Sequence, residues 1–152
     1  MKTLADAQDK AELLTRLQKV GPDSRRRWGR MSPHQMVCHL SDSFRAVMGL
    51  RPTSPADNIF YRTIVKWIAL YSNMEWPKGV PTRPEVDQEV AGTKPVEFQK
   101  DMADLEVLVT RFAAVERDFE WGRHPLFGRM TEREWRRWGY LHVDHHLRQF
   151  GA

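Results

Sequence analysis

The sequence predicts an all-α domain, and three observations predict it. Apolar residues recur at three- and four-residue intervals along most of the chain. Two Ser/Thr-x-x-Gln/Glu capping boxes, Ser32 to Gln35 and Thr131 to Glu134, mark helix starts. No stretch alternates apolar and polar residues as a half-buried strand would. The expected architecture is a bundle of four core helices, with a fifth optional.

The first helix is expected from Thr3 to Val20. Leu4, Ala7, Ala11, Leu14 and Leu17 form its stripe, Thr3 caps it, and Gly21-Pro22 stops it. A basic connection follows, and Ser32-Pro33 opens the second helix with a cap and a proline at the first helical position. Met36, Leu40, Phe44 and Val47 should face the core, and Gly49 to Pro52 ends the helix. Asp57 or Asn58 caps a third helix reaching about Ser72, apolar around much of its circumference and therefore expected to be deeply buried. Residues 75–95, broken by Pro77, Gly79, Pro81, Pro84, Gly92 and Pro95, form a long irregular segment that Trp76 and Val80 should pack against the surface. The fourth helix is expected from Val96 to Arg117, with Phe98, Met102, Leu105, Leu108 and Phe112 as its stripe. Trp121 to Gly128 links it to the last helix, which starts at Thr131.

A chain of 152 residues fits one domain over 1–152. At that size roughly 68–70% of the unfolded surface is buried on folding, so neither metal nor disulfide is needed to hold the fold. The single cysteine, Cys38, excludes an internal disulfide and any multi-cysteine zinc site, and suits a reducing cytoplasm. The N-terminus lacks a signal-peptide core. The most apolar stretch, Ile59 to Tyr71, carries Arg62 and Lys66 and is too short to span a bilayer, so no membrane partner is expected. The net charge of +4 is modest; its clusters, Arg25-Arg26-Arg27 and Arg136-Arg137, read as solvated surface, and without a recognition motif no nucleic acid is expected.

The chemistry is concentrated at the C-terminus, in His142-Val143-Asp144-His145-His146-Leu147-Arg148-Gln149-Phe150. His142 and His146 are four apart, which on a helix stacks two imidazoles on one face with Cβ atoms roughly 5–6 Å apart. Two ligands do not make a metal site, and His39 is the candidate third. The two capped helix starts echo each other, Gly29-Arg30-Met31-Ser32 and Gly128-Arg129-Met130-Thr131. His39 lies seven residues past its cap, and His142 and His146 lie eleven and fifteen past theirs. At the helical pitch these offsets agree to within about 80°, so the three rings take similar azimuths. By spacing alone His39 also fits a core histidine with a satisfied hydrogen bond, and His145 fits a rival ligand, a supporting residue or plain surface. His34 and His124 read as surface, with His124 in a position to act as a general base if it borders a site. Cys38 points about 100° away from His39 and reads as a small buried apolar residue.

At these residues the chain resembles the DinB/YfiT-like superfamily of metalloenzymes. The resemblance rests on His124-Pro125-Leu126-Phe127-Gly128, Glu134-Trp135 and His142 through Phe150. On the N-terminal side it rests on Trp28 to Ser32, Gln35-Met36 and His39, with Trp76 to Pro84 between. It spans roughly residues 25–150 and matches a branch without a firm activity. It implies an up-down-down-up four-helix bundle holding a divalent metal, commonly zinc or nickel, on His39, His142 and His146. Where the broader family continues its last motif with Arg-Gly-Gln, this chain has Leu147-Arg148-Gln149, which leaves the ligands intact and weakens transfer of substrate chemistry. Characterised members of the superfamily include transferases and isomerases that use bacillithiol, mycothiol or glutathione.

Three neutral imidazoles leave a fourth position open, the pattern of catalytic zinc. Water or a thiol there becomes a nucleophile, so the expected function is hydrolysis or thiol transfer on a small molecule; a non-catalytic metal- or ligand-binding module is the alternative. Asp42 is the candidate acceptor for a ligand N–H. Arg129 and Arg148 are candidates for an anionic substrate, Trp76 and Arg83 for the pocket wall, and His145 for the site's edge. A homodimer is compatible with the apolar third helix.

Overall fold

Three of the four long helices begin where a side chain, that of Asp6, Ser32 or Thr131, accepts their first free N–H groups. The computed structural model describes residues 1–152. It is all-helical, with α1 (Ala7–Leu17), α2 (Pro33–Val47), α3 (Lys66–Tyr71), α4 (Phe98–Ala113) and α5 (Glu132–Gln149). A π-helical segment, Tyr61–Val65, runs into α3, and a 3₁₀ turn, Pro84–Val86, interrupts the long connection to α4. None of these helices is long and apolar enough to cross a membrane.

Both predicted capping boxes form. Ser32 accepts from Gln35 N–H while the Gln35 side chain accepts from Ser32 N–H, and Thr131 and Glu134 exchange the same pair of bonds. The echo between these starts is also conformational. Gly29 and Gly128 take φ of 75° and 68°, and the caps Ser32 and Thr131 lie at φ/ψ of −71°/165° and −71°/161°. Helix α1 starts later than the sequence suggests. Asp6, not Thr3, accepts from the N–H groups of Gln8 and Asp9, because a carboxylate three residues further on offers the stronger cap. Helix α4 stops at Ala113 rather than Arg117, and the Arg136 guanidinium donates to the carbonyls of Ala113 and Ala114 that its end leaves free.

Arg136 and Arg137 are thus buried, contrary to the solvated surface expected of them. Arg137 donates to the carbonyls of Leu70 and Lys2, so both guanidinium forks satisfy backbone at chain crossings. One apolar core joins α1, α2, α4 and α5 through Leu17, Leu40, Phe44, Leu105, Phe112 and Trp135. Gly139 lets α5 approach closely: a Cβ there would lie 2.6 Å from Phe112 and 2.8 Å from Leu4.

The third helix departs most from expectation. Asn58 caps it through Tyr61 N–H as anticipated, but only Leu70 of α3 is buried. Ile59, Phe60, Ile64, Trp67 and Tyr71 are exposed, because the core is already closed by the other four helices. Val80 is exposed as well, whereas Trp76 packs on the core and donates to Ala69 O.

Replacing Gly139 by Val should overpack the α4–α5 contact and cost about 1–3 kcal/mol. Urea unfolding should show a lower midpoint with an unchanged slope.

Candidate metal centre

Helix α2 presents His39 toward α5, and α5 presents His142 and His146 one turn apart. Nε2 of His39 lies 3.3 Å from Nε2 of His142. The ring centroids are 5.3 Å apart for His39–His142, 4.8 Å for His39–His146 and 5.1 Å for His142–His146. One nitrogen from each ring falls within 4.8 Å of the others. The structure therefore brings together the three histidines singled out in the sequence.

The outer nitrogens fix the tautomers. His39 Nδ1 is 2.8 Å from Val86 O, so it carries the proton and donates it, leaving Nε2 bare. His146 Nδ1 is 3.0 Å from Gln149 Oε1 and is held the same way. Gln149 is itself fixed, because its amide donates to Trp28 O at 2.9 Å. Gly29 is required beside it: its φ of 75° suits glycine, and a Cβ would come 2.6 Å from Gln149 Nε2. Nδ1 of His142 is buried and has no partner.

Burial holds His39 below the ordinary histidine range. It holds His142 and His146 well below it, and the neighbouring imidazoles push both further in that direction. All three are neutral near pH 7, the form that ligates a metal. Two ligand nitrogens at 2.0–2.1 Å from one tetrahedral ion would be about 3.3 Å apart, which is the separation seen between His39 and His142. The donor set thus fits a divalent cation.

The surrounding candidates divide. Trp76 is tilted over His142 and His145, each at 6.1 Å between centroids. Trp28 meets His145 edge-on at 6.0 Å, and Lys78 Nζ sits 4.6 Å from the centre of the Trp28 ring. His145 therefore borders the triad without joining it; burial lowers its pKa first, then Arg148. Arg148 is engaged by Glu75 at 2.7 Å and Asp144 at 3.1 Å. Arg129 is exposed, and Arg83 donates to Ser54 instead of walling the site.

Asp42 does not support His39 directly. Fully buried, it accepts from Thr93 N–H and Oγ1 at 2.7 Å each, from Gln88 at 3.2 Å and from Arg51 at 3.3 Å. It faces the 85–93 connection, whose donors need an anion, and so holds in place the loop that offers Val86 O to His39. His124 is no general base at a mouth. It is buried, stacked on Phe127, and its Nδ1 accepts from Leu126 and Phe127 N–H; burial alone lowers its pKa to about 3. A ring that closes its own turn is not free to serve a substrate. His34 is not plain surface: its Nε2 lies 2.7 Å from Asp101 Oδ2. Cys38 is buried, as expected, and that burial, followed by the charge of the same Asp101, raises its pKa to about 12.

Two supporting groups escaped sequence reasoning. Gln149 was findable, since it lies three residues after His146 on the same helix. The Val86 carbonyl was not, because no side chain marks it.

A family model described as "Protein of unknown function (DUF1569)" matches residues 2–152. No curated protein and no solved structure matches the chain.

Removing the Gln149 acceptor in Gln149→Leu should weaken metal affinity about 10- to 100-fold, measured by competition with a chromophoric chelator. The metal-free protein should also lose stability in acid. The unfolded chain binds protons at histidine from pH 6.5 downward, while His39, His124, His142 and His146 resist protonation in the fold. Their stability contribution is complete above that value and falls as pH drops below it, read as urea midpoints against pH.

Proposed function

The chain belongs to the DUF1569 family, and we propose that it is a divalent-metal-dependent enzyme acting on a small molecule by hydrolysis or thiol transfer. The observation that carries this reading is the convergence of three neutral imidazoles whose outer protons are, for His39 and His146, already committed to Val86 O and Gln149 Oε1. His39, His142 and His146 would hold the ion, zinc or nickel, in a bundle of the DinB-like up-down-down-up type. When bound, such an ion supplies Lewis acidity at an open position and acidifies a water or a low-molecular-weight thiol.

The chain's own groups set the surroundings. Of the three rings only His142 keeps partial exposure, so approach is from its side, where Trp76 and His145 stand. Trp76 and Trp28 enclose His145 and limit its contact with water. His145 is neutral near pH 7 and is the imidazole beside the triad with capacity to accept a proton. Arg148, committed to Glu75 and Asp144, holds the end of α5 rather than presenting a free cation.

Protein prepared without chelator or histidine tag should contain about one zinc or nickel per chain. His142→Ala and His146→Ala should each remove it while helical circular dichroism is retained. Absence of metal, together with failure to take up added metal, would overturn the proposal. Metal binding without turnover across thiol-conjugation and hydrolase panels would replace it with a non-catalytic binding module.

A further inference from the structure

Helix α2 carries a second convergence of ligand atoms, on its face toward α4. His34 and Cys38 are four apart on that helix, and Asp101 comes from the first turn of α4. Asp101 Oδ2 lies 2.7 Å from His34 Nε2 and 3.8 Å from Cys38 Sγ, and the three donors fall within 4.8 Å of one another. We propose that His34, Cys38 and Asp101 form a second site for a thiophilic divalent cation such as zinc or cobalt, separate from the three-histidine centre.

The argument is geometric and chemical. His34 Nε2–H and Cys38 S–H both donate to one carboxylate oxygen, so a cation at that point substitutes for protons already gathered there. Tetrahedral zinc with bonds of about 2.0–2.3 Å requires nitrogen and oxygen about 3.3 Å apart and sulfur and oxygen about 3.6 Å apart. The sulfur–oxygen separation already suits an ion, and the nitrogen–oxygen pair need open by only about 0.6 Å. Imidazole, thiolate and carboxylate are each ordinary zinc ligands, and thiolate favours zinc over magnesium or calcium. On binding, the thiol proton leaves to water, His34 exchanges its Nε2 proton through water for one on Nδ1 so that Nε2 is bare, and thiolate plus carboxylate then neutralise the divalent charge.

The site is held from outside. The Phe98 ring meets His34 edge-on at 5.4 Å, and Val96 N–H donates to Asp101 Oδ2 at 3.2 Å. His34 and Asp101 keep side-chain exposures of 22% and 20%, so the fourth position can be filled by water. Cys38, by contrast, is buried, which protects the thiolate side of the ion.

Cobalt titration tests the site independently of the triad, because the triad contains no sulfur and Cys38 is the chain's single cysteine. Co(II) added to the whole protein should produce a near-ultraviolet thiolate-to-cobalt charge-transfer band. That band should persist in a His142→Ala/His146→Ala chain, vanish in Cys38→Ser, and weaken in Asp101→Asn and His34→Ala. His39→Gln offers a second triad variant should the double alanine chain fail to fold. The proposal is overturned if excess Co(II) gives no such band with the folded wild-type protein. It is equally overturned if the band disappears with the triad histidines, which would assign Cys38 to that centre.

Discussion

Three neutral imidazoles meeting at one point between α2 and α5, two of them buried and His142 half-buried, are the constraint around which the rest of the structure is arranged. A buried polar nitrogen without a partner is costly, so each ring demands something of its surroundings. His39 demands a carbonyl, and the 3₁₀ turn Pro84–Val86 supplies it. His146 demands an acceptor, and Gln149 supplies it only because Trp28 O holds the other end of the amide. The segment before α2 is thereby fastened to the end of α5, with Arg27 N–H donating to Gln149 O at 2.7 Å as a second tie. Of the outer nitrogens of the three rings, only Nδ1 of His142 is left without a partner.

This dependence explains the long connection between α3 and α4. A loop of that length has a large entropy to lose, and apolar contact alone does not hold it: Trp76 packs on the core and Val86 is buried, but Val80 and Val90 are exposed. Asp42 does, gathering donors from Arg51, Gln88 and Thr93 about one buried carboxylate. Arg51 then reaches the carbonyls of Glu85 and Ala91 from the other side. The loop is fixed electrostatically so that a single backbone oxygen, that of Val86, stands beside His39.

The sequence was most legible where local chemistry decides. The capping boxes of α2 and α5 depend on residues three apart, and both form as read. The azimuths of His39, His142 and His146 follow from counting along helices with matching starts, and the rings do converge. Reading failed where a distant partner decides. An apolar third helix looks like core until it is known that Leu40, Phe44, Leu105, Phe112 and Trp135 already fill it. Arg136 and Arg137 look like a solvated pair until the end of α4 and the carbonyls of Leu70 and Lys2 are placed against them. Asp42, one turn from His39, looked like its hydrogen-bond acceptor. The alternative, a loop returning from residue 93, has no local signature.

Helix α2 shows how far one element can carry several polar duties. Every residue from Met36 to Phe44 is buried, including Cys38, His39, Ser41, Asp42 and Ser43. An apolar stripe alone would not require that. Successive residues turn by about 100°, so Cys38, His39 and the apolar Leu40 address three different neighbours. Cys38 looks to Asp101 on α4, His39 to α5, and Asp42 to the 85–93 loop. The helix can bury this much polarity because each of those groups meets a partner from a different element. Helix α2 is thus the hub through which the triad, the loop and α4 are held in register, with its capping box at Ser32 fixing where the count begins.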